Sequence, residues 1–493
     1  MDNNKDPNKN NRNSGRNLQQ QASRQKRRKK KKQQIVAVLL QLGMLTIIVG
    51  VLIYFLVGNP LKIGSDNNTN NPGNIIGGNN TDNTVNSDES TEDESVDLEA
   101  EKLKEMEVEV EKAIEESNVL ALSYYYDEAI AKLDEFEAKY KAQYGPNQDI
   151  QEAKAQLEIK ISELTPFGAY SQVEEAHHVF FHSLIADTSK AFDGDYKENG
   201  YNYYMTTVSE FIEMMKQMYE DGYVLVSMHD LVEPVQQDDG SIVMKTGDLL
   251  LPPDKKPFIL SVDDVNYYEY MIGDGFADKI IIDENGRPSN EMTLDDGSKV
   301  VGDFDVVPVL ETFLEEYPDF SYQGARGILA LTGYEGAFGY RTNDTASPTY
   351  EKDKATVVEV AKALREWGWD FASHSWGHRD MNKYGYDFLV GDTNRWLDEV
   401  GSIVGPTDIY IFPYGIDIED AGPYDSAKYQ YLREKGFLYY CGVYKSPWMQ
   451  TTDDYVRMTR RPLDGQAMLQ FPERLADLFD LEKVIDPARP PLR

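Results

Sequence analysis

The sequence predicts an α/β fold for roughly the last two thirds of the chain. From about residue 170 onward, short apolar runs alternate with stretches of helical periodicity, which is the pattern of strands separated by helices. The runs are HVFFHSLI, YVLVSM, FILSV, GILALTG, IYIF and LYYCGVY, and the helical stretches are 206–220, 306–316 and 354–367. Three strands end in polar or turn-forming residues, at Asp263-Asp264, His374 and Pro413-Tyr414. Because function in α/β barrels gathers at the carboxyl ends of the strands, these endings predict one shared site.

The amino terminus predicts a membrane anchor. Residues 1–33 hold twelve basic and two acidic residues and cannot bury a core, so we expect a disordered, cytoplasmic tail. Within 34–58, the segment from Ile35 to Val57 is almost wholly apolar and, at ~1.5 Å per residue, is long enough as a helix to cross a bilayer. A cleaved signal peptide is the alternative, but the apolar segment is longer than such peptides need. The sequence therefore favours an uncleaved transmembrane helix, with the rest of the chain outside the cell.

Two further segments precede the α/β region. Residues 59–96 are rich in Asn, Gly, Ser, Thr and acidic residues, which predicts a disordered acidic linker. Residues 97–165 change to Glu, Lys, Ala and Leu with helical spacing, interrupted near Gly145-Pro146, which predicts a helical hairpin or stalk. We expect the remaining segment, 166–493, to form the catalytic domain.

The net charge of the chain argues against some classes of binding partner, and its single cysteine limits how the fold is stabilised. The chain has a formal net charge of −35, and the part after the basic tail is more acidic still. We therefore expect no binding of nucleic acid or of anionic wall polymers, whereas a neutral or amino-bearing glycan meets no long-range repulsion. The acidity is equally compatible with a role in solubility alone. The single cysteine, Cys441, excludes an internal disulfide, and its apolar surroundings predict a buried core residue.

The motifs SVDD (261–264) and SHSWGH (373–378) carry the candidate chemistry. Two carboxylates follow the apolar run KPFIL, and at a strand end both can reach one pocket. His374 and His378 stand four residues apart, a spacing that lets two imidazoles share one cation on a helical turn. Two histidines and one carboxylate form a known Zn²⁺ ligand set with open positions for water and substrate. The alternatives are a surface acid pair and two unrelated core histidines.

A third motif, IFPYG (411–415), places Pro-Tyr-Gly at the end of a strand. A backbone N–H aimed from such a turn can stabilise an oxyanion. By itself the motif indicates only a turn.

Together and in this order, the three motifs resemble those of the polysaccharide deacetylases of the NodB-homology group, carbohydrate esterase family four, over roughly residues 175–475. The resemblance implies a distorted (β/α) barrel, preceded here by the transmembrane helix and the small helical segment. It implies Asp263 as the catalytic base and Asp264, His374 and His378 as ligands of a divalent metal, most simply Zn²⁺. Phe412, Pro413, Tyr414 and Trp448 would line the substrate site, with the Tyr414 N–H in the oxyanion hole.

The chain departs from the family at two functional positions. Ile411 stands where many members carry an arginine that orients the base, and no histidine follows His378 to serve as the usual acid. The segment VFFHSLIAD resembles the opening of the permuted branch of the family, which includes poly-N-acetylglucosamine deacetylases. That resemblance implies His182 as the acid.

The resulting expectation is a membrane-anchored, extracellular enzyme that hydrolyses acetyl groups of an acetylated polysaccharide. Two other hypotheses stay open: a catalytically inactive glycan-binding protein of the same fold, and a scaffold whose anchor and helices carry the function. The insertion at 265–350 is expected to shape the substrate groove.

Overall fold

The computed structural model describes residues 90–168, 176–420, 422–444 and 448–492. The predicted basic tail and transmembrane helix, and the linker up to residue 89, lie outside the described residues. Within the described residues, no helix combines the length and apolar character needed to cross a membrane.

The chain divides into two compact units. Residues 90–121 and 125–159 belong to a helical unit, and residues 122–124 and 160–492, where described, belong to an α/β unit. The helices of the first unit are α1 Ser90–Leu122, α2 Tyr126–Tyr144 and α3 Gln148–Glu163, of which α1 and α3 end with residues that belong to the second unit. The core of this unit is apolar and includes Leu120, Leu133, Phe136, Ile150 and Leu157.

The α/β unit is built on one central sheet. Its strands are β1 His177–Phe181, β2 Tyr223–Leu225, β3 Lys256–Val262, β4 Ile328–Leu331, β5 Asp370–Ser373, β6 Ile409–Ile411, β7 Tyr439–Gly442, β8 Met449–Thr451, β9 Val456–Thr459 and β10 Arg461–Pro462. The order is β8-β9-β7-β6-β5-β4-β3-β1-β10, with β2 also paired to β3. Every pairing is parallel except that of β8 with β9. The carboxyl ends of the parallel strands therefore share one edge.

The sheet is curled into a half-barrel by its last segment. β9 pairs with β7, and β10, one residue further along the chain, pairs with β1 at the other end of the sheet. The residue between β9 and β10 is Arg460, which is 1 % exposed. The curl therefore brings the ends of β1, β3 and β9 near one another. The predicted α/β fold is confirmed as a mixed α/β architecture with this curled sheet.

Helices cover the sheet, and several of them begin at a residue whose side chain caps the helix. Those of six residues or more are α4 Glu198–Tyr204, α5 Val208–Glu220, α6 Val306–Glu316, α7 Tyr350–Trp367, α8 Tyr386–Trp396, α9 Ala427–Glu434 and α10 Gly465–Gln470. Thr207 forms a capping box with Glu210 at the start of α5, and the Asp305 side chain caps α6. Gly368, with φ of +109°, ends α7 in the left-handed conformation that glycine adopts most easily. The helices predicted at 206–220, 306–316 and 354–367 are confirmed, with small differences at their ends.

Shorter strands form small additional sheets in the α/β unit. Lys279–Ile282, Pro288–Thr293 and Lys299–Gly302 form an antiparallel sheet within the insertion, and Val232–Gln236 pairs with Ile242–Thr246. Two further pairs consist of two-residue strands: Thr165–Pro166 pairs with Leu250–Leu251, and Leu184–Ile185 pairs with Thr206–Thr207. Cys441 lies in β7 with no exposed surface, and burial raises its pKa to about 12. The prediction of a buried core cysteine is confirmed.

Candidate metal centre

Asp264, His374 and His378 come together at the carboxyl edge of the sheet. Asp264 Oδ1 lies 3.9 Å from His374 Nε2 and 3.8 Å from His378 Nε2. One ligand atom from each residue lies within 4.8 Å of the others. Asp264 follows β3 and His374 follows β5, so two strand ends and one loop supply the three side chains. No other such group of three is found among the residues that the structure describes.

The backbone at this site is held in an uncommon conformation. Asp264, Ser375, His378 and Tyr414 all have positive φ, between +47° and +59°. Non-glycine residues in the left-handed region cost free energy and cluster at functional sites. The two histidines are therefore presented by a tight loop, not by the helical turn that their spacing suggested.

The three side chains fit a divalent cation. Asp264 Oδ1 is buried and has no hydrogen-bond partner within the described part of the chain, and an acceptor in that state is costly unless a ligand occupies it. His374 Nδ1 donates to the carbonyl of Ile411 at 2.8 Å, which leaves the Nε2 lone pair facing Asp264. Burial also lowers the pKa of His374, which favours the neutral, ligating form. Tetrahedral Zn²⁺ bonds of about 2.1 Å would place neighbouring ligand atoms roughly 3.4 Å apart, a few tenths of an ångström less than the two distances from Asp264 Oδ1 to the imidazoles.

Asp263 lies beside this group and is bound by an arginine. Its carboxylate is 4 % exposed, and Oδ2 lies 3.9 Å from His374 Nε2. Arg460 Nη1 donates to Asp263 Oδ1 at 2.6 Å. Burial raises the pKa of Asp263, but the charge of Arg460 and its hydrogen bond outweigh the effect of burial and hold this pKa well below its usual range. Asp263 is therefore kept ionised next to the candidate metal ligands.

The arginine that binds Asp263 comes from a different strand end than the resemblance implied. The family pattern has an arginine at position 411 on β6, which is isoleucine here, whereas Arg460 lies at the junction of β9 and β10. Arg460 also donates to Ser261 Oγ at 3.3 Å, and Ser261 Oγ is 2.9 Å from His178 Nε2. Its guanidinium lies 4.2 Å from the centre of the Phe180 ring. The local sequence TRRP (459–462) does not indicate that Arg460 binds Asp263, because this contact depends on the curl of the sheet.

His182 lies at the same edge of the sheet. His182 follows β1 directly. Phe181, the last residue of β1, accepts a hydrogen bond on its carbonyl from the Asp263 N–H at 2.8 Å. A positive charge on His182 would lower the pKa of Asp263 and would oppose the burial that raises the pKa of Asp464. This position is compatible with the predicted acid, and its role stays a prediction.

The residues of the third motif divide between the site and the core. Tyr414 is 61 % exposed, with its ring centre 4.5 Å from that of His378. Phe412 is fully buried between the rings of Tyr410 and Tyr440, and Pro413 is buried as well. Of these three predicted substrate-site residues, only Tyr414 offers substantial side-chain surface to a ligand.

Trp448 packs beside a tyrosine and an arginine. Its ring packs against Tyr444 at 5.3 Å and lies 5.2 Å from the Arg457 guanidinium, and its carbonyl accepts the Thr459 N–H. Its role as an aromatic wall near the acetyl group stays a prediction.

Two tyrosines from the insertion adjoin Asp264. Tyr334 donates its hydroxyl to the Tyr268 hydroxyl at 2.7 Å. Burial raises the pKa of Tyr268, and the negative charge of Asp264 adds to the rise. The part of the insertion nearest the strand ends therefore contributes phenol groups to the surroundings of the candidate metal site.

A cleft of about 660 Å³ opens beside His378 and Tyr414. Trp376, Phe388 and Tyr334 also line it. Phe388 stacks on Tyr384 with 4.3 Å between ring centres, and both rings are more than one third exposed. The volume is of the order of a small-ligand site, and exposed aromatic faces are suited to apolar ring faces of a ligand.

Comparison with known proteins adds little to this geometry. No protein-family model matches the chain, and no curated protein matches it. A solved structure, "Streptococcus pyogenes deacetylase PplD in complex with acetate", shares 12 % sequence identity with it and has a TM-score of 0.33; the match covers 62 % of this chain and 98 % of that one. A likeness at that score carries no argument about function.

Proposed function

We propose that this protein is a metal-dependent hydrolase that removes acetyl groups from N-acetylated sugars of an extracellular polysaccharide. The observation that carries the proposal is the position of Asp263, an ionised carboxylate held by Arg460 within 3.9 Å of His374, one of three residues that converge as a metal-ligand set. A glycan-binding protein has no need for a base beside its metal. The resemblance of the three motifs to polysaccharide deacetylases supports the same reading.

In the proposed mechanism of amide hydrolysis, each group of the site has a separate role. Asp264, His374 and His378 would hold a divalent ion, most simply Zn²⁺, which when bound polarises an acetyl carbonyl and lowers the pKa of a coordinated water toward ~7, from about 16 in bulk water. Asp263 accepts a proton from the attacking water, and Arg460 fixes the orientation of its carboxylate. The Tyr414 N–H stabilises the oxyanion. His182 donates a proton to the departing sugar amine, which gives acetate and a free amine.

The cleft beside His378 supports a glycan as the substrate. Tyr414 and His378 line both the candidate metal centre and the cleft, so a sugar chain whose acetyl group reaches Asp263 would continue past Phe388. The net charge of −35 favours a neutral glycan whose product is cationic. Anchoring by the segment 34–58 and an extracellular location complete the proposal.

Acetate release tests the proposal directly. The purified full chain, loaded with Zn²⁺, is expected to release acetate from N-acetylglucosamine oligomers, and a chelator is expected to abolish the release because the oxyanion loses its main electrostatic partner. Acetate is measured by an enzyme-coupled assay. Zn²⁺ uptake without turnover on N- or O-acetylated glycans would contradict the proposal and favour the inactive glycan-binding protein.

A further inference from the structure

The loop that presents His378 is fastened at its centre by an acid from a neighbouring helix. The backbone N–H groups of Trp376 and Gly377 donate to Asp392 Oδ1 at 2.7 Å and Asp392 Oδ2 at 2.9 Å. Asp392 lies on α8 and is 8 % exposed. Each carboxylate oxygen therefore takes one N–H of the loop, and the orientation of a single side chain fixes both peptide groups.

A carboxylate is the side chain suited to this arrangement. An ionised aspartate accepts on both oxygens, whereas an asparagine accepts on one and turns N–H donors toward the second peptide N–H. Burial raises the pKa of Asp392, and the hydrogen bonds from Trp376 and Gly377 and the charge of Arg395 oppose that rise. Charge-assisted bonds of this kind are about twice as strong as neutral ones.

The same helix face holds the Trp376 side chain. The Trp376 indole N–H donates to Glu399 Oε2 at 2.7 Å, and Arg395 Nε donates to Glu399 Oε1 at 2.8 Å. The Arg395 guanidinium covers the Trp376 ring at 3.3 Å. On the opposite side, the Trp376 carbonyl accepts the N–H groups of Gly333 and Tyr334. The loop is thus attached to α8 and to the segment after β4.

The hydrogen bonds to Asp392 offset backbone strain next to His378, a candidate metal ligand. Ser375 and His378 have φ of +56° and +47°, on either side of the two peptides that Asp392 binds. A relaxed loop would move His378, whose Nε2 is 3.8 Å from Asp264 Oδ1. We propose that Asp392 is a positioning residue that holds His378 at the metal centre without touching the metal itself. The inference depends on the metal site of the proposed function.

Metal affinity is the readout that separates positioning from general stability. In the full chain, Asp392→Asn is expected to weaken Zn²⁺ binding by about 10–100-fold, as for other groups that orient metal ligands. Binding is measured by competition with a chromogenic chelator, so no turnover is needed. Asp398→Asn, the same change at an exposed acid three residues after Arg395, is the matched control and is expected to leave the affinity unchanged. Trp376→Phe removes the bond to Glu399 but keeps both peptide N–H groups, and is expected to weaken binding less than Asp392→Asn.

Hydrogen exchange provides a test that needs no variant. With the metal removed, the amides of Trp376 and Gly377 are expected to exchange slowly in the wild-type chain, because Asp392 binds them before any metal does. Zn²⁺ affinity of a folded Asp392→Asn within twofold of wild type, or fast exchange of both amides in the metal-free chain, would overturn the inference. A wild-type chain that binds no Zn²⁺ would instead contradict the proposed function.

Discussion

Asp263→Asn is expected to reduce acetate release by roughly 10²–10⁴-fold while Zn²⁺ stays bound, because the variant keeps the shape of the side chain and loses the group that accepts the proton. The three proposed metal ligands, Asp264, His374 and His378, are unchanged in this variant. Initial rates on an N-acetylglucosamine oligomer and the Zn²⁺ content of the same sample measure both effects.

The neighbouring acid is the natural control for this variant. Asp264→Ala removes a proposed ligand and is expected to lose metal and activity together, whereas Asp263→Asn loses activity alone. The thermal midpoint of each variant should be recorded, since Asp263→Asn leaves the buried Arg460 without its ion pair. If Asp263→Asn keeps more than about a tenth of the wild-type rate, Asp263 is not the base.

Removing Arg460 is expected to have the largest effect on stability. Arg460→Met leaves Asp263 ionised, buried and unpaired, and breaking a buried pair from one side typically costs about 3–5 kcal/mol. The pKa of Asp263 is depressed in the folded protein, so the stabilisation is present above the ordinary carboxyl pKa of about 4 and is lost as the pH falls through the depressed value. The variant should therefore be most destabilised near neutral pH and should approach wild type in acid. Urea unfolding at several pH values measures this.

The same substitution is expected to change the pH profile of catalysis. Without Arg460, the charge and hydrogen bond that oppose burial are lost, so the pKa of Asp263 should rise and the acid limb of kcat/KM should move to higher pH. Arg461→Met is a matched control, because Arg461 binds His177 and Asp477 and makes no recorded contact with Asp263. An unchanged acid limb in a folded Arg460→Met protein would show that Arg460 does not tune the base.

The candidate metal ligands could be predicted because their signals are local. A pair of acids at the end of an apolar run and two histidines four residues apart both lie within single short segments, and the parallel sheet then brings the strand ends to one edge. The sequence also indicated that Cys441 is buried, since its neighbours are apolar on both sides.

The partners of these residues could not be predicted, because they depend on long-range packing. Arg460 is 197 residues from Asp263 in the chain, and nothing in its neighbourhood distinguishes it from Arg457 or Arg461. Asp392 lies on an amphipathic helix, where an acid normally indicates a solvated face. Phe412 shows the opposite case: a family motif suggested a ligand contact, but the Phe412 ring is fully buried against Tyr410 and Tyr440.

The central claim is that one carboxylate and two imidazoles converge on a single cation. Anomalous X-ray scattering at the zinc edge, from crystals of the Zn²⁺-loaded full chain, tests it most directly. We expect one peak about 2.0–2.2 Å from Asp264 Oδ1, His374 Nε2 and His378 Nε2. Zinc bound elsewhere with these three side chains free, or no zinc in a correctly folded chain, would contradict it.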